Sequence, residues 1–173
     1  MRRALATLTA AAALVVIPAT HANAATSGAK WAQPAVYVYD GTSAGSLYAV
    51  AEAASEWSKS GINLVMTSDP TQADITVREE YVCGSLQCYA GYFTASGSGG
   101  VITDCQISVD PGIAAEPKLA QHSALHEMGH CIGLDHNPVD VNRSVMNASV
   151  NWDTAVTRPS AYDIRQAKTL YGR

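Results

Sequence analysis

Alternating apolar and polar residues along the chain predict a set of short β-strands. Four segments alternate in this way or are rich in β-branched and aromatic residues, and turn residues bound them. They are residues 35–40, 62–67, 73–81 and 101–110. The stretch 82–100 contains two cysteines and the run SGSGG, so it is interpreted as a loop.

Apolar residues spaced by three and four positions predict helices between and after these strands. The first helix lies ahead of Gly61 and is marked by Leu47, Val50, Ala51, Ala54 and Trp57. The second runs from about Pro117 to Gly133, with proline in its first turn and glycine past its end. The third begins near Ser160, where Asp163 suggests a capping arrangement. This order of elements predicts an α/β (α+β) domain with a mixed sheet.

The N-terminal residues resemble a secretory signal peptide. Arg2 and Arg3 precede an apolar run that ends in an A-x-A pattern at Ala24. A membrane anchor is less favoured, because the run contains polar residues and is shorter than the ~20 residues a span needs. We therefore expect a signal peptide at 1–24, a flexible lead-in at 25–34, a catalytic domain at 35–173 and an extracellular location.

The charge balance argues against nucleic acid and membranes as partners. The chain has 11 Lys+Arg and 15 Asp+Glu, and loss of Arg2 and Arg3 leaves 9 against 15, a formal charge of −6. A mildly acidic domain has no electrostatic reason to bind polyanions. We expect it to be a monomer.

All four cysteines follow the signal-like segment, and an exported chain favours disulfides. Four cysteines allow three pairings, of which we expect Cys83–Cys88, across a short GSLQ loop, and Cys105–Cys131. A cysteine zinc site is the alternative, and the lack of a C-x-x-C pair argues against it.

The segment HEMGHCIGLDH (126–136) carries the strongest chemical pattern in the chain. On a helix, His126 and His130 lie one turn apart on the same face, as two zinc ligands require. Glu127 lies about 100° round the helix, at the edge of such a site, where it can take a proton from the attacking water. Gly133 can end the helix and let His136 return as a third ligand.

The alternative for these residues is a set of ordinary histidines at a helix end. His122, one turn before His126, lacks a following glutamate and is interpreted as a partly exposed helix histidine. The glutamate and the glycine at these positions favour the metal site.

This segment resembles the HExxHxxGxxH signature of the metzincin metallopeptidases, and SVMN and DIRQAKTLYG suggest the matrixin type. The resemblance implies a zincin-like fold with a long helix, an active-site helix and a C-terminal helix. It also implies one catalytic zinc and a methionine turn at Met146. The resemblance extends to individual residues over 126–147 and 160–172 and elsewhere concerns only the order of helices and strands.

The chain departs from the matrixin pattern at several points. Asn137 stands where a serine usually follows the third histidine. A second zinc site cannot be built in the usual way, since His122 is the one other histidine after the signal-like segment. Structural calcium remains possible but does not follow from the sequence, which has no EF-hand loop.

The function expected from these residues is a secreted zinc-dependent endopeptidase with Glu127 as general base. A peptide substrate would lie along an edge strand within 94–109. Two alternatives stay open: a non-catalytic binding module that uses zinc for stability, and a zinc hydrolase of a non-protein amide such as a cell-wall crosslink.

Overall fold

The computed structural model describes residues 28–43, 48–81, 90–137, 144–147 and 155–172. These residues form six strands, three α-helices and two short 3-10 helices, Pro70–Gln72 and Pro111–Ile113. The strands are β1 (Lys30–Trp31), β2 (Val36–Asp40), β3 (Leu64–Thr67), β4 (Ile75–Glu79), β5 (Gly91–Ser98) and β6 (Val101–Val109). The helices are α1 (Val50–Ser58), α2 (Pro117–Cys131) and α3 (Ala161–Tyr171).

The strands form one mixed sheet, as the sequence predicts. Its order is β1-β6-β4-β2-β3, with every neighbouring pair parallel. The antiparallel strand β5 pairs with β6, and in the described part of the chain it pairs with no other strand. One side of β5 is therefore an open edge of the sheet.

Helices α1 and α2 pack against the sheet, and the core lies between them and the strands. α1 contacts β2 and β3, α2 contacts β5 and β6, and the two helices contact each other. Trp57 of α1 is fully buried, and its ring nitrogen donates a hydrogen bond to the Leu125 carbonyl of α2 (2.9 Å). Most residues of α2 are buried, so this helix is held on several sides and makes a rigid support for side chains.

The C-terminal helix begins as the sequence predicts. Ser160 is the N-cap of α3, and Ser160 and Asp163 form a reciprocal capping box. The helix ends at Gly172, which adopts a left-handed conformation with a φ of 68°. Among the described residues, no helix is both long and apolar enough to cross a membrane.

The structure differs from the sequence prediction at two strands. Residues 91–98, interpreted as loop, form β5. Part of the predicted flexible lead-in forms β1, where Lys30 and Trp31 pair with the start of β6 and Trp31 is buried. Each strand is stabilised mainly by its pairing with β6, a long-range contact that local composition does not report.

The disulfide between Cys105 of β6 and Cys131 of α2 is confirmed. It ties the centre of the sheet to the last residue of α2, and both cysteines are fully buried. The expected Cys83–Cys88 pair lies outside the described residues.

The double substitution C105A/C131A should destabilise the protein strongly. The bridge closes a 26-residue separation, for which loop entropy predicts about 3–4 kcal/mol of stabilisation. Urea titration of the wild type and the variant, both metal-free, measures this difference. A change well under 1 kcal/mol would show that packing alone holds the two elements together.

Candidate metal centre

Three histidine side chains converge at the C-terminal half of α2. The Nε2 atoms of His126 and His130 lie 3.1 Å apart, and those of His126 and His136 also lie 3.1 Å apart. The third edge, between His130 and His136, is 3.2 Å. Among the described residues, no other group of three or more histidine, cysteine or acidic side chains is arranged to hold a metal.

The size of this triangle fits zinc. Zn–N bonds of ~2.0–2.1 Å at tetrahedral angles place the nitrogens about 3.3–3.4 Å apart. The observed edges are only slightly shorter. Three imidazoles on one side of an ion leave a fourth tetrahedral position for solvent or substrate, as catalytic zinc sites require.

Backbone carbonyls orient two of these rings. His126 Nδ1 lies 2.7 Å from the Val145 oxygen, and His130 Nδ1 lies 2.7 Å from the Leu134 oxygen. Since a carbonyl only accepts, each Nδ1 carries the proton and each Nε2 presents a lone pair. Two lone pairs 3.1 Å apart repel each other unless a cation lies between them, so this arrangement is suited to metal binding.

Gly133 produces the turn that returns His136 to the other two histidines. It has a φ of 93°, which non-glycine residues rarely adopt. A Cβ built at this position would lie 1.9 Å from the Ala29 carbonyl oxygen. Conformation and space both require glycine here, as the sequence pattern predicts.

The predicted methionine turn lies against the same helix. Met146 is buried, and a Cβ on Gly129 would lie 2.3 Å from the Met146 sulfur. Glycine at 129 therefore admits the thioether directly against α2 between the ligand positions. The Asn137 backbone N–H donates to the Met146 carbonyl (2.8 Å), so the chain after His136 is tied to this turn.

Asp163 connects the methionine turn to helix α3. Its carboxylate accepts hydrogen bonds from the Val145 N–H (3.1 Å) and the Ser144 hydroxyl (2.5 Å). The same carboxylate accepts the Ser160 N–H (2.8 Å) in the capping box. Because the Val145 carbonyl in turn orients His126, the cap of α3 is linked to the first candidate ligand through a single residue.

The carboxyl of Glu127 is buried between α2 and the edge strand. A Cβ on Gly91 of β5 would lie 3.1 Å from Glu127 Oε1 and 2.4 Å from the Ser123 hydroxyl oxygen. Burial raises the pKa of Glu127 to about 8 in the metal-free protein. A dication close by stabilises the charged form, so metal binding would lower this pKa.

β5 supplies a contact to the site that the sequence does not predict. The Phe93 ring stacks on His130, with centroids 4.5 Å apart and an interplanar angle of 16°. Phe93 thus restricts the ring of the second candidate ligand on one face. The sequence signal for this contact is a single aromatic residue, Phe93, in a glycine-rich segment. That it stacks on His130 follows only from the pairing of β5 with β6.

His122 is buried, which corrects the expectation of a partly exposed histidine. It is 4% exposed, and its Nδ1 lies 2.9 Å from the oxygen and 3.0 Å from the nitrogen of Val156. Its Nε2 has no hydrogen-bond partner among the described residues. Val156 is 34 residues away in sequence, so its contact with His122 could not be predicted from the sequence.

The metal-free protein should be most stable near pH 6.5. Burial lowers the pKa of His122 and of His126 from the ordinary 6.5, so the unfolded chain binds more protons and stability falls as pH drops below 6.5. Each such proton contributes about 1.4 kcal/mol per pH unit. The raised pKa of Glu127 acts oppositely: stability falls as pH rises from 4.5 towards about 8.

Thermal unfolding from pH 5 to 8 in the presence of a chelator measures this profile. Two histidines outweigh one carboxyl below pH 6.5, and the carboxyl acts alone above it. A melting temperature that rises steadily from pH 6.5 to 8 would contradict buried Glu127, and a flat profile below pH 6.5 would contradict buried neutral histidines.

Comparisons with known proteins agree with this geometry. The family model described as Matrixin matches residues 41–172, which are 132 of the 173 residues. No curated protein matches the sequence. Among solved structures, a chain of the GM1-bound form of the ECX AB5 holotoxin is similar in fold: the TM-score is 0.55 at 16% identity, over 79% of this chain and 80% of that one. The family match, the mixed α/β fold and the histidine triad place this chain in the matrixin family of zinc metallopeptidases.

Proposed function

We propose that this protein is a secreted zinc endopeptidase of the metzincin type in which Glu127 is the general base. The observation that carries the proposal is the convergence of three Nε2 atoms at 3.1–3.2 Å, two from helix α2 and one from the turn after it, next to the buried Glu127. His126, His130 and His136 would hold the ion. A zinc ion held there supplies Lewis-acid activation of water and of the scissile carbonyl.

Glu127 carries the proton in this reaction. It accepts a proton from the attacking water and delivers it to the leaving amine. For the first role it must be ionised, although burial raises its metal-free pKa to about 8. Metal binding provides the compensating positive charge, so the base is active only in the loaded enzyme.

The open edge of β5 is the proposed binding site for the substrate backbone. β5 lies beside the histidines, because Phe93 stacks on His130 and Gly91 contacts the Glu127 side chain. An extended peptide added to this edge gains main-chain hydrogen bonds and passes next to the candidate metal. The sequence-based expectation placed this edge within 94–109. β5 overlaps that range from residue 94 to 98, whereas β6 is flanked by other strands.

Secretion is supported by two independent features. The first residues have the pattern of a signal peptide. The buried Cys105–Cys131 bridge is typical of proteins that fold in an oxidising compartment. Expression of the full chain in a secreting bacterial host, with N-terminal sequencing of the exported protein, tests the proposed cleavage after Ala24.

Replacing Glu127 with Gln should abolish proteolysis but keep metal binding. The amide preserves the size of the side chain and cannot accept the proton, and loss of a general base costs typically 10²–10⁴-fold. The measurement is kcat/KM on casein-derived peptides, together with zinc content, for E127Q and the wild type. The exposed substitution Glu52→Gln on α1 is the matched control and should leave both unchanged.

Two outcomes would contradict the proposal in different ways. Full activity in E127Q would remove Glu127 from its role. A wild type that binds zinc yet cleaves no peptide library would favour the non-catalytic module, and cleavage restricted to cell-wall crosslinks would favour a non-protein amide as substrate.

Edge-strand binding predicts an alternating sensitivity to substrate N-methylation. In an antiparallel or parallel strand, every second backbone N–H faces the partner strand. When the nitrogens of a cleaved peptide are methylated one at a time, KM should rise for methylation at every second position and stay unchanged at the others. Each rise should correspond to about 1 kcal/mol of lost binding free energy per hydrogen bond. Steady-state kinetics over the methylated series measures this. Equal effects at consecutive positions would exclude an extended substrate on β5.

A further inference from the structure

The turn after helix α2 must provide hydrogen-bond donors for several backbone carbonyls that the helix leaves without partners. The last carbonyls of a helix have no partner within it. Here the Gly133 N–H donates to the His130 carbonyl (2.8 Å), and the Leu134 N–H donates to the Gly129 carbonyl (3.0 Å). These two bonds close the turn around a left-handed glycine. The carbonyls of Cys131 and Ile132 remain, and both lie in the protein interior.

Two side chains from opposite ends of the chain satisfy these carbonyls. The Trp31 ring nitrogen in β1 donates to the Cys131 carbonyl (2.8 Å). The Tyr171 hydroxyl at the end of α3 donates to the Ile132 carbonyl (3.1 Å). The same hydroxyl accepts the backbone N–H of Trp31 (3.4 Å), so the two groups form one connected network.

This turn also sets the positions of two candidate ligands. The Leu134 carbonyl accepts the hydrogen bond that orients His130 (2.7 Å), and His136 follows two residues later. The carbonyl of Ala29, two residues before Trp31, packs against Gly133. A shift of the turn therefore displaces the second and third imidazoles together.

We propose that Trp31 and Tyr171 are positioning residues of the zinc site. By holding the Cys131 and Ile132 carbonyls, they fix the turn that presents His130 and His136 with the spacing a zinc ion needs. The inference rests on the proposed zinc binding and extends it: the metal site is complete only when both ends of the described chain are docked on the turn.

The substitutions W31F and Y171F test this by removing one donor each. Each retains an aromatic ring, so most of the apolar burial is kept. Loss of a group that orients ligands from outside the metal shell typically costs 10–100-fold in metal affinity. We expect zinc affinity, measured by competition with a chromophoric chelator, to fall about tenfold or more in each variant. In the double variant the loss of zinc affinity should be smaller than the sum of the two single losses, because both side chains hold the same turn.

A matched control separates positioning from general loss of stability. Y48F removes a buried tyrosine hydroxyl that donates to the Asp110 carbonyl (3.3 Å), away from the turn. This control should lower the melting temperature of the metal-free protein and keep wild-type zinc affinity.

The outcomes distinguish this inference from the proposed function. Wild-type protein that fails to bind zinc contradicts the proposed function itself. Wild type that binds zinc, with W31F and Y171F binding equally tightly, overturns the positioning role alone. The role is also overturned if Y48F loses as much zinc affinity as W31F and Y171F, because the effect then follows stability and not the turn.

Discussion

The repulsion among imidazole lone pairs is the constraint on which the rest of this structure depends. Two rings are held with Nδ1 protonated against carbonyls, so their Nε2 atoms face each other at 3.1 Å with no proton between them. The fold must supply the energy that keeps them together without a metal. It does so through many surrounding contacts, each of which fixes a backbone carbonyl or a ring, and a bound cation converts the repulsion into attraction.

These contacts come from separate parts of the chain. α3 acts through Asp163 on the methionine turn, whose Val145 carbonyl orients His126. β5 acts through Phe93 on His130. β6 acts through its disulfide to the last residue of α2. Because no single element builds the site, its geometry depends on the whole domain being folded. Local unfolding of any of these elements would release at least one ligand from its position.

Much of the site could be predicted from sequence because it is local. The four-residue spacing of His126 and His130, the glycine at 133 and the capping box at Ser160 all follow from helix geometry within one or two turns. Of the three possible pairings, the one with Cys105–Cys131 is predicted because Cys83 and Cys88 flank a short loop. The strands at 36–40, 64–67, 75–79 and 101–109 could be predicted because each segment is itself alternating or rich in β-branched and aromatic residues.

What could not be predicted depends on contacts distant in sequence. β5 is half exposed and rich in glycine and serine, and it is a strand because β6 lies beside it. Residues 25–34 are predicted to be a flexible lead-in, and two residues are too few to show a periodicity, yet Trp31 of β1 is buried at the end of α2. His122 is predicted to be partly exposed, but it is buried and hydrogen-bonded to the backbone of Val156, 34 positions later. In each case the determining partner is a tertiary neighbour.

The central claim is that three imidazoles and no sulfur hold one zinc ion. X-ray absorption at the zinc edge of the purified, zinc-loaded protein tests it most directly. Zinc bound by three histidines has a first shell of nitrogen and oxygen only, at ~2.0–2.1 Å, with outer-shell scattering from three imidazole rings. A sulfur distance near ~2.3 Å, or scattering from fewer than three imidazoles, would contradict it.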